Sequence, residues 1–313
     1  MAWRRMGRVF CPENNFEWMF SHAANPFAEH VEGSEYRVYF SCRDRTNRSS
    51  VASLMLDVDS LKVREVAARP VLTFGPAGFF DDSGVSMACI VPNGRYRYLY
   101  YLGWNLSVTV PFRNSIGLAV STDGGPFKKH SAAPVLDRSH HDPLSLSYPW
   151  VLREGAIWKM WYGSTVRWRS GREEQDHVIK YAESSDGIDW RPTGDICIDV
   201  ASEDAHAFSR PCVIAEAGRY RMWFSWRGEK YCIGYAESPD GIRWERRDDG
   251  QGLEPTGEGW EAQSVEYAHI FDHAGRRHAL YCGNGYGATG FGLAVWEPDL
   301  PLRRPGDRGG WLS

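Results

Sequence analysis

The sequence predicts an all-β chain, a five-bladed β-propeller with four antiparallel strands per blade around a central channel. "YAESSDGIDW" (Tyr181 to Trp190) recurs as "YAESPDGIRW" (Tyr235 to Trp244), and "LAVSTDGGPF" (Leu118 to Phe127) keeps the same Ser-x-Asp-Gly core. A second motif, paired aromatics in an apolar strand after a Gly-containing turn, occurs five times, as "EGSEYRVYF", "NGRYRYLYY", "EGAIWKMWY", "AGRYRMWFS" and "AGRRHALYC". Its anchors, Tyr39, Tyr100, Trp161, Trp223 and Tyr281, are spaced by 61, 61, 62 and 58 residues. A fixed long period is the signature of a repeat architecture. A β-sandwich is the alternative that turn spacing alone permits.

Each repeat reads as strand, turn, strand, longer excursion, strand, Asp-Gly turn and closing strand, with little that reads as amphipathic helix. The Asp-Gly pair is expected to form a tight two-residue hairpin turn. The blades fall at residues 15–65, 80–130, 142–195, 205–248 and 260–300 of one domain spanning 1–313. Innermost strands line a propeller's channel, so their starts converge although they are far apart in sequence. Those starts, "SHAANPF", "FDDSGVSMACIV", "DPLSLSYPWVL", "AFSRPCVI" and "WEAQSVEYAHIF", are the least repetitive parts of the repeat, as a binding site would be.

Composition agrees with a turn-rich, aromatic-rich globular protein: 32 Gly, 17 Pro, 14 Trp, 15 Tyr and 14 Phe. No apolar run approaches a membrane span, and the start "MAWRRMGRVFCPENNF" lacks a secretory apolar stretch, so a cytoplasmic protein is expected. Seven scattered cysteines without a C-x-x-C pair suggest neither a disulfide framework nor a structural zinc. A net charge of −4 offers no general field for nucleic acid or an anionic membrane. No cofactor is implied. His140, His141 and Asp142 lack metal-site spacing, and "GNGYGATGFG" lacks the Lys-Ser/Thr of a phosphate loop.

The segments "GRVFCPENNFEWMFSHAANPFAEH", "YRVYFSCRDRTNRSS", "FDDSGVS", "YLYYLGWN", "VPFRNSIGLAVS", "HVIKYAESSDGIDW", "SRPCVI", "GYAESPDGIRWERRDD" and "GNGYGATGFGLA" carry a resemblance over nearly the full length. The chain resembles uncharacterised bacterial proteins like glycoside hydrolase family 43, and shares its architecture with the propellers of families 32, 43 and 130. The resemblance implies action on carbohydrate. It also exposes two departures. Those hydrolases usually carry a catalytic aspartate on the first blade, where this chain has Asn25, and the resemblance implies a glutamate where this chain has Gln263 in "WEAQ".

Glycosidic cleavage ordinarily uses two carboxyl groups flanking the bond. The strand starts offer Asp81 or Asp82 as base or electrostatic stabiliser, and Glu261 or Glu266 as acid. A strand-mouth turn is the competing role of the aspartates, and a solvated strand end that of the glutamates. Arg43, Asp44, Arg48, Arg113, Asn114, His177, Lys180 and Arg210 gather at strand ends, and arginine suits bidentate recognition of phosphate or carboxylate. Arg43, Arg113 and Arg210 are expected as anion clamps, with His22, Asn25, Gln263 and Tyr267 on the substrate. Trp104, Tyr148, Trp150, Trp226 and Tyr286 are candidate sugar platforms.

The expected function is that of an intracellular enzyme cleaving or transferring a glycosyl group of an anionic or activated sugar, in glycan or sugar-metabolite biosynthesis. The expected partner is a small carbohydrate. A non-catalytic sugar-binding propeller and an assembly scaffold are the alternatives.

Overall fold

The computed structural model of the protein describes residues 2–169, 175–200, 205–247 and 250–297. Strand β1 (Ala2–Phe10) opens the chain, followed by β2 (Ser21–Glu32), β3 (Glu35–Arg43), β4 (Ser49–Asp57) and β5 (Lys62–Val66), a four-stranded antiparallel meander. The second meander is β6 (Gly84–Asn93), β7 (Tyr96–Leu106), β8 (Phe112–Thr122) and β9 (Lys128–Lys129), paired with the first through a single parallel bridge, Ser49 to Gly84. The third is β10 (Leu146–Glu154), β11 (Ile157–Trp168), β12 (Gln175–Ser184) and β13 (Arg191–Ile198). The fourth is β14 (His206–Glu216), β15 (Arg219–Arg227), β16 (Tyr231–Ser238) and β17 (Glu245–Arg246). The last, β18 (Glu266–His273), β19 (Arg276–Cys282) and β20 (Phe291–Glu297), takes its fourth strand from the other end of the chain, β1.

The fold is a β-propeller. The expected first blade, 15–65, holds β2 to β5, whereas the nine residues of β1 belong to the last meander. Nothing in "AWRRMGRVF" marks that destination, because an outermost strand needs little apolar patterning. One anchor also shifts. Tyr39, Tyr100, Trp161 and Trp223 pair with Phe27, Cys89, Trp150 and Cys212 on the inner strands, and the matching residue in the last meander is Leu280, opposite His269. Tyr281 falls on the other face, in line with Tyr101 and Tyr162, because successive strand residues alternate.

The repeated Ser-x-Asp-Gly segment has a purpose the hairpin reading did not supply. In the third meander β12 and β13 are joined by a longer loop: Asp186 Oδ1 accepts the N–H groups of Ile188 and Asp189 at 2.8 and 2.9 Å, and Ser184 Oγ accepts that of Gly187 at 2.9 Å. Asp240 and Ser238 repeat this arrangement in the fourth. Each loop then receives the anchor of the preceding meander: Tyr100 donates to the Gly187 carbonyl at 2.6 Å, and Trp161 Nε1 to that of Gly241 at 2.6 Å. Trp190 and Trp244 close edge-on against the same anchors. The loop is therefore a latch between neighbouring meanders. Only the weaker copy is a two-residue turn, with Asp123 and Gly124 at φ 50° and 75° and Gly125 N–H donating to Thr122 O.

All five inner strands carry a β-bulge at one shared place, after Ala24, Met87, Ser147, Ser209 and Glu266. Pro26, Pro149 and Pro211 occupy three of these bulges, where a missing N–H breaks no ladder bond. Asn25, Arg210 and Tyr267 sit beside them in the left-handed region, at φ 52°, 52° and 57°. The bulges re-aim the side chains at the strand starts.

Candidate functional site

Counted from the paired residues that follow the bulges, the inner-strand residues Ala24, Ser86, Ser147, Ser209 and Glu266 occupy equivalent positions, facing Ser41, Leu102, Gly163, Ser225 and Cys282 on the second strands. The first four line a cavity of about 410 Å³ at the convergent strand starts. The β3–β4 connection contributes Arg43, Asn47 and Ser49 to its wall, and β7–β8 contributes Trp104, Phe112 and Asn114. Tyr148, Tyr231, Tyr267 and Tyr286 form an aromatic side, with Tyr148 and Tyr267 centroids 5.1 Å apart and Tyr286 stacked on Tyr267 at 6.4 Å. Among the described residues no aspartate or glutamate lines this cavity.

Of the expected substrate-binding residues, His22, Asn25, Arg43, Asn114, Tyr148, His177 and Tyr267 come together on its wall. Burial, reinforced by the Arg43 charge, lowers His22 to about 4, and burial lowers His177 to about 4, so both rings are neutral near pH 7. Arg43 donates to Asn47 Oδ1 at 2.7 Å and is the cation on the wall. Asn25, 2% exposed, donates to Ser41 Oγ at 3.3 Å while its Oδ1 has no partner among the described residues, and Ser147 Oγ is likewise unpartnered. Buried, unsatisfied acceptors on a cavity wall await a donor such as a ligand hydroxyl or water.

The other expected residues are placed elsewhere. Arg210 is 0% exposed and bolts the axis: Nη1 donates to the Ala88 carbonyl at 2.7 Å and Nη2 to that of Pro26 at 3.4 Å, so it holds bulges rather than a ligand. Beside it Phe27 stacks on His269 at 4.4 Å, and burial lowers His269 to about 3. Asp44 is a turn residue, accepting from Thr46 and Arg48. Arg113 donates to Ser107 Oγ at 3.3 Å and does not line the cavity, and Gln263 is exposed with its N–H on Asn284 Oδ1. Lys180 is 3.2 Å from Asp142 and donates to the His141 carbonyl. Trp150 packs on the axis beside His269, and Trp226 lies under the Arg246 guanidinium.

Three of the four expected catalytic carboxylates have structural partners. Asp81 accepts from Tyr101 at 3.1 Å and Lys129 at 2.5 Å. Asp142 repeats the pattern with Tyr162 and Lys180, and Glu261 repeats it with Tyr281 at 2.8 Å and Arg5 at 3.6 Å. In each case the acid precedes its tyrosine by 20 residues, which makes these carboxylates a repeated strut. Asp82 caps a local turn, accepting from Gly78 N–H and Ser83.

Glu266 is different. It stands in the position that holds a serine in three other meanders, is 1% exposed, and has one oxygen, Oε2, without a partner among the described residues. Burial raises it to about 7, and its charge in turn helps raise Tyr231 and Tyr267, two of the cavity tyrosines. Sequence reading missed Ser86, Ser147, Ser209 and Tyr231; the serines recur at the repeat spacing, but serine is too common for that to stand out. Among the described residues no group of three or more His, Cys, Asp or Glu could hold a metal ion.

The fold is that of the propellers found among glycoside hydrolases. A solved glycoside hydrolase superposes with TM-score 0.75 at 16% identity, over 98% of this chain and 94% of its own. A glycosyl hydrolase from Bacteroides ovatus gives 0.71 at 16% identity, over 97% and 96%. A structure from family 130 of mannoside phosphorylases, which contains hydrolases targeting β-1,2 mannosidic linkages in Candida mannan, gives 0.69 at 14%, over 96% and 95%. Two proteins of Mycobacterium tuberculosis, "Uncharacterized protein MT1551" and "Uncharacterized protein Rv1502", are 48% and 47% identical to the chain over 298 residues, 95% of it and 100% of each relative. The chain belongs to their family. No protein-family model matches it.

Proposed function

We propose that the protein is a carbohydrate-active enzyme that transfers a glycosyl group held in the central cavity, with Glu266 as its single acid and an anionic group of the substrate or co-substrate held by Arg43. The observation that carries this reading is Glu266: a buried carboxyl, uncharged up to about pH 7, at a position where equivalent residues line the cavity. That is the state a general acid needs at neutral pH. The aromatic side suits the apolar face of a sugar ring, and Asn25, Asn114 and the serines suit its hydroxyls.

With Glu266 the one acid in this reading and no carboxylate lining the cavity, phosphorolysis or transfer fits better than hydrolysis. Phosphate is itself a nucleophile: its oxygen bonds to the anomeric carbon as the glycosidic C–O bond breaks, and the Glu266 proton passes to the departing oxygen. A single displacement of this kind inverts the anomeric centre. We read the five meanders as the blades of one domain, although residues 298–313 of that expected domain lie outside the described ones, and we place the enzyme in cytoplasmic sugar-metabolite biosynthesis. No helix among the described residues is long and apolar enough to cross a membrane, and all seven cysteines are free thiols.

One observation favours a second reading, a sugar-binding propeller without catalysis: no carboxylate lines the cavity. A thermal-shift screen against neutral sugars, sugar phosphates, uronic acids and nucleotide sugars, with product analysis of each hit with and without phosphate, separates the two. The enzyme reading expects turnover that Glu266→Gln abolishes while binding persists. Binding without any product establishes the second reading.

A further inference from the structure

We infer a second ligand site, for a phosphate-bearing small molecule, in a cleft between the first two meanders and separate from the central cavity. It arises where the latch is missing. Between the second and third meanders, and between the third and fourth, the loop fills the junction with Ile188 and Trp190 or with Ile242 and Trp244, partly or fully buried against the core. Between the first and second the same places hold Gly125 and Phe127. Tyr39, the anchor there, meets Phe127 edge-on at 6.3 Å but donates to Glu29 Oε2 at 3.0 Å, where Tyr100 and Trp161 donate to the carbonyl of the loop glycine. A cavity of about 320 Å³ is left open.

Its walls carry three guanidinium groups from separate elements: Arg37 on β3, Arg69 after β5 and Arg97 on β7. Arg97 is fixed in place, with Nη1 on both Glu29 oxygens at 3.1 and 2.9 Å and its Cζ 4.8 Å from the Phe127 ring centre, while its buried Nε has no partner among the described residues. Arg37 and Arg69 form no ion pair or hydrogen bond among the described residues, and Glu65, exposed, is the one acid on the wall. Three arginines converging in a chain of net charge −4 fit an oxyanion with several acceptor oxygens. Tyr39 and Phe127 supply an apolar wall for the group that carries it.

The test is calorimetric titration with inorganic pyrophosphate in an Arg43→Ala background, which removes the cation of the central cavity. Binding is expected to persist there and to weaken about tenfold on adding either Arg37→Ala or Arg69→Ala, the loss appropriate to one charge-assisted contact. Both side chains are exposed, so the fold survives their removal, and a melting curve of each variant checks this. No binding in the Arg43→Ala protein, or binding that neither added substitution weakens, overturns the inference. Because this site is independent of Glu266, loss of turnover in Glu266→Gln tests the enzyme reading alone.

Discussion

At the scale of single residues, burial sets the chemistry. Glu266 is raised to about 7 from the usual carboxyl value of 4.5, so the folded chain holds a proton that the unfolded chain releases between those values. Its contribution to stability is therefore lost as pH rises from about 4.5 to 7, by roughly 3 kcal/mol at most for a shift of this size. His177 and His269 act in the opposite sense. Lowered to about 4 and about 3, they contribute stability that is present above pH 6.5 and lost as pH falls toward those values. Urea unfolding as a function of pH should show Glu266→Gln gaining stability over the parent above pH 7 and matching it near pH 4. An unchanged difference across that range would place Glu266 in contact with water. Sequence alone offered Glu266 beside Glu261 as the acid, because only packing distinguishes a carboxyl braced by tyrosine and a cation from one left without them.

At the scale of elements, the latches explain why a decapeptide is written twice. Gly187 has φ 77°, and a Cβ there would meet the Tyr100 hydroxyl at 2.8 Å and Trp158 at 2.9 Å; Gly124, at φ 75°, would meet nothing within 4 Å. Both substitutions to alanine pay left-handed strain of about 1 kcal/mol, and only Gly187→Ala adds a clash inside a packed junction. Chemical denaturation should accordingly show Gly187→Ala costing at least about 2 kcal/mol more than Gly124→Ala. Trp161→Phe deletes one of two indole hydrogen bonds to the Gly241 carbonyl, Trp244 Nε1 keeping the other at 2.9 Å, so the expected loss is that of a single hydrogen bond, about 0.5–1.5 kcal/mol. The repeat, its period and most anchors were legible because paired aromatics after a Gly-containing turn recur at a nearly fixed spacing, with Asp-Gly pairs between them. Tyr281 was assigned one residue out of register because Leu280 breaks the aromatic pattern, and strand alternation turns that single step into the opposite face. Arg210 was legible as a buried-site arginine in no way at all, since sequence shows charge and not direction.

At the scale of the whole molecule, closure depends on β1 lying beside β20, from Ala2 opposite Glu297 to Phe10 opposite Phe291. Deleting residues 2–10 exposes the β20 edge and removes Trp3 from its contact with Trp296. The truncated chain should lose its cooperative thermal transition and self-associate, which circular dichroism melts and light scattering would show; a sharp, unshifted melt would mean that the other meanders hold the ring unaided. The closing strand also sets an order of events. β1 leaves the ribosome almost three hundred residues before β20, the strand it pairs with, so it waits unpaired for some tens of seconds at typical elongation rates. Throughout that wait "AWRRMGRVF" must find no other edge to join, and the three arginines among its nine residues supply the charge repulsion that keeps a waiting strand apart from its own copies on neighbouring nascent chains.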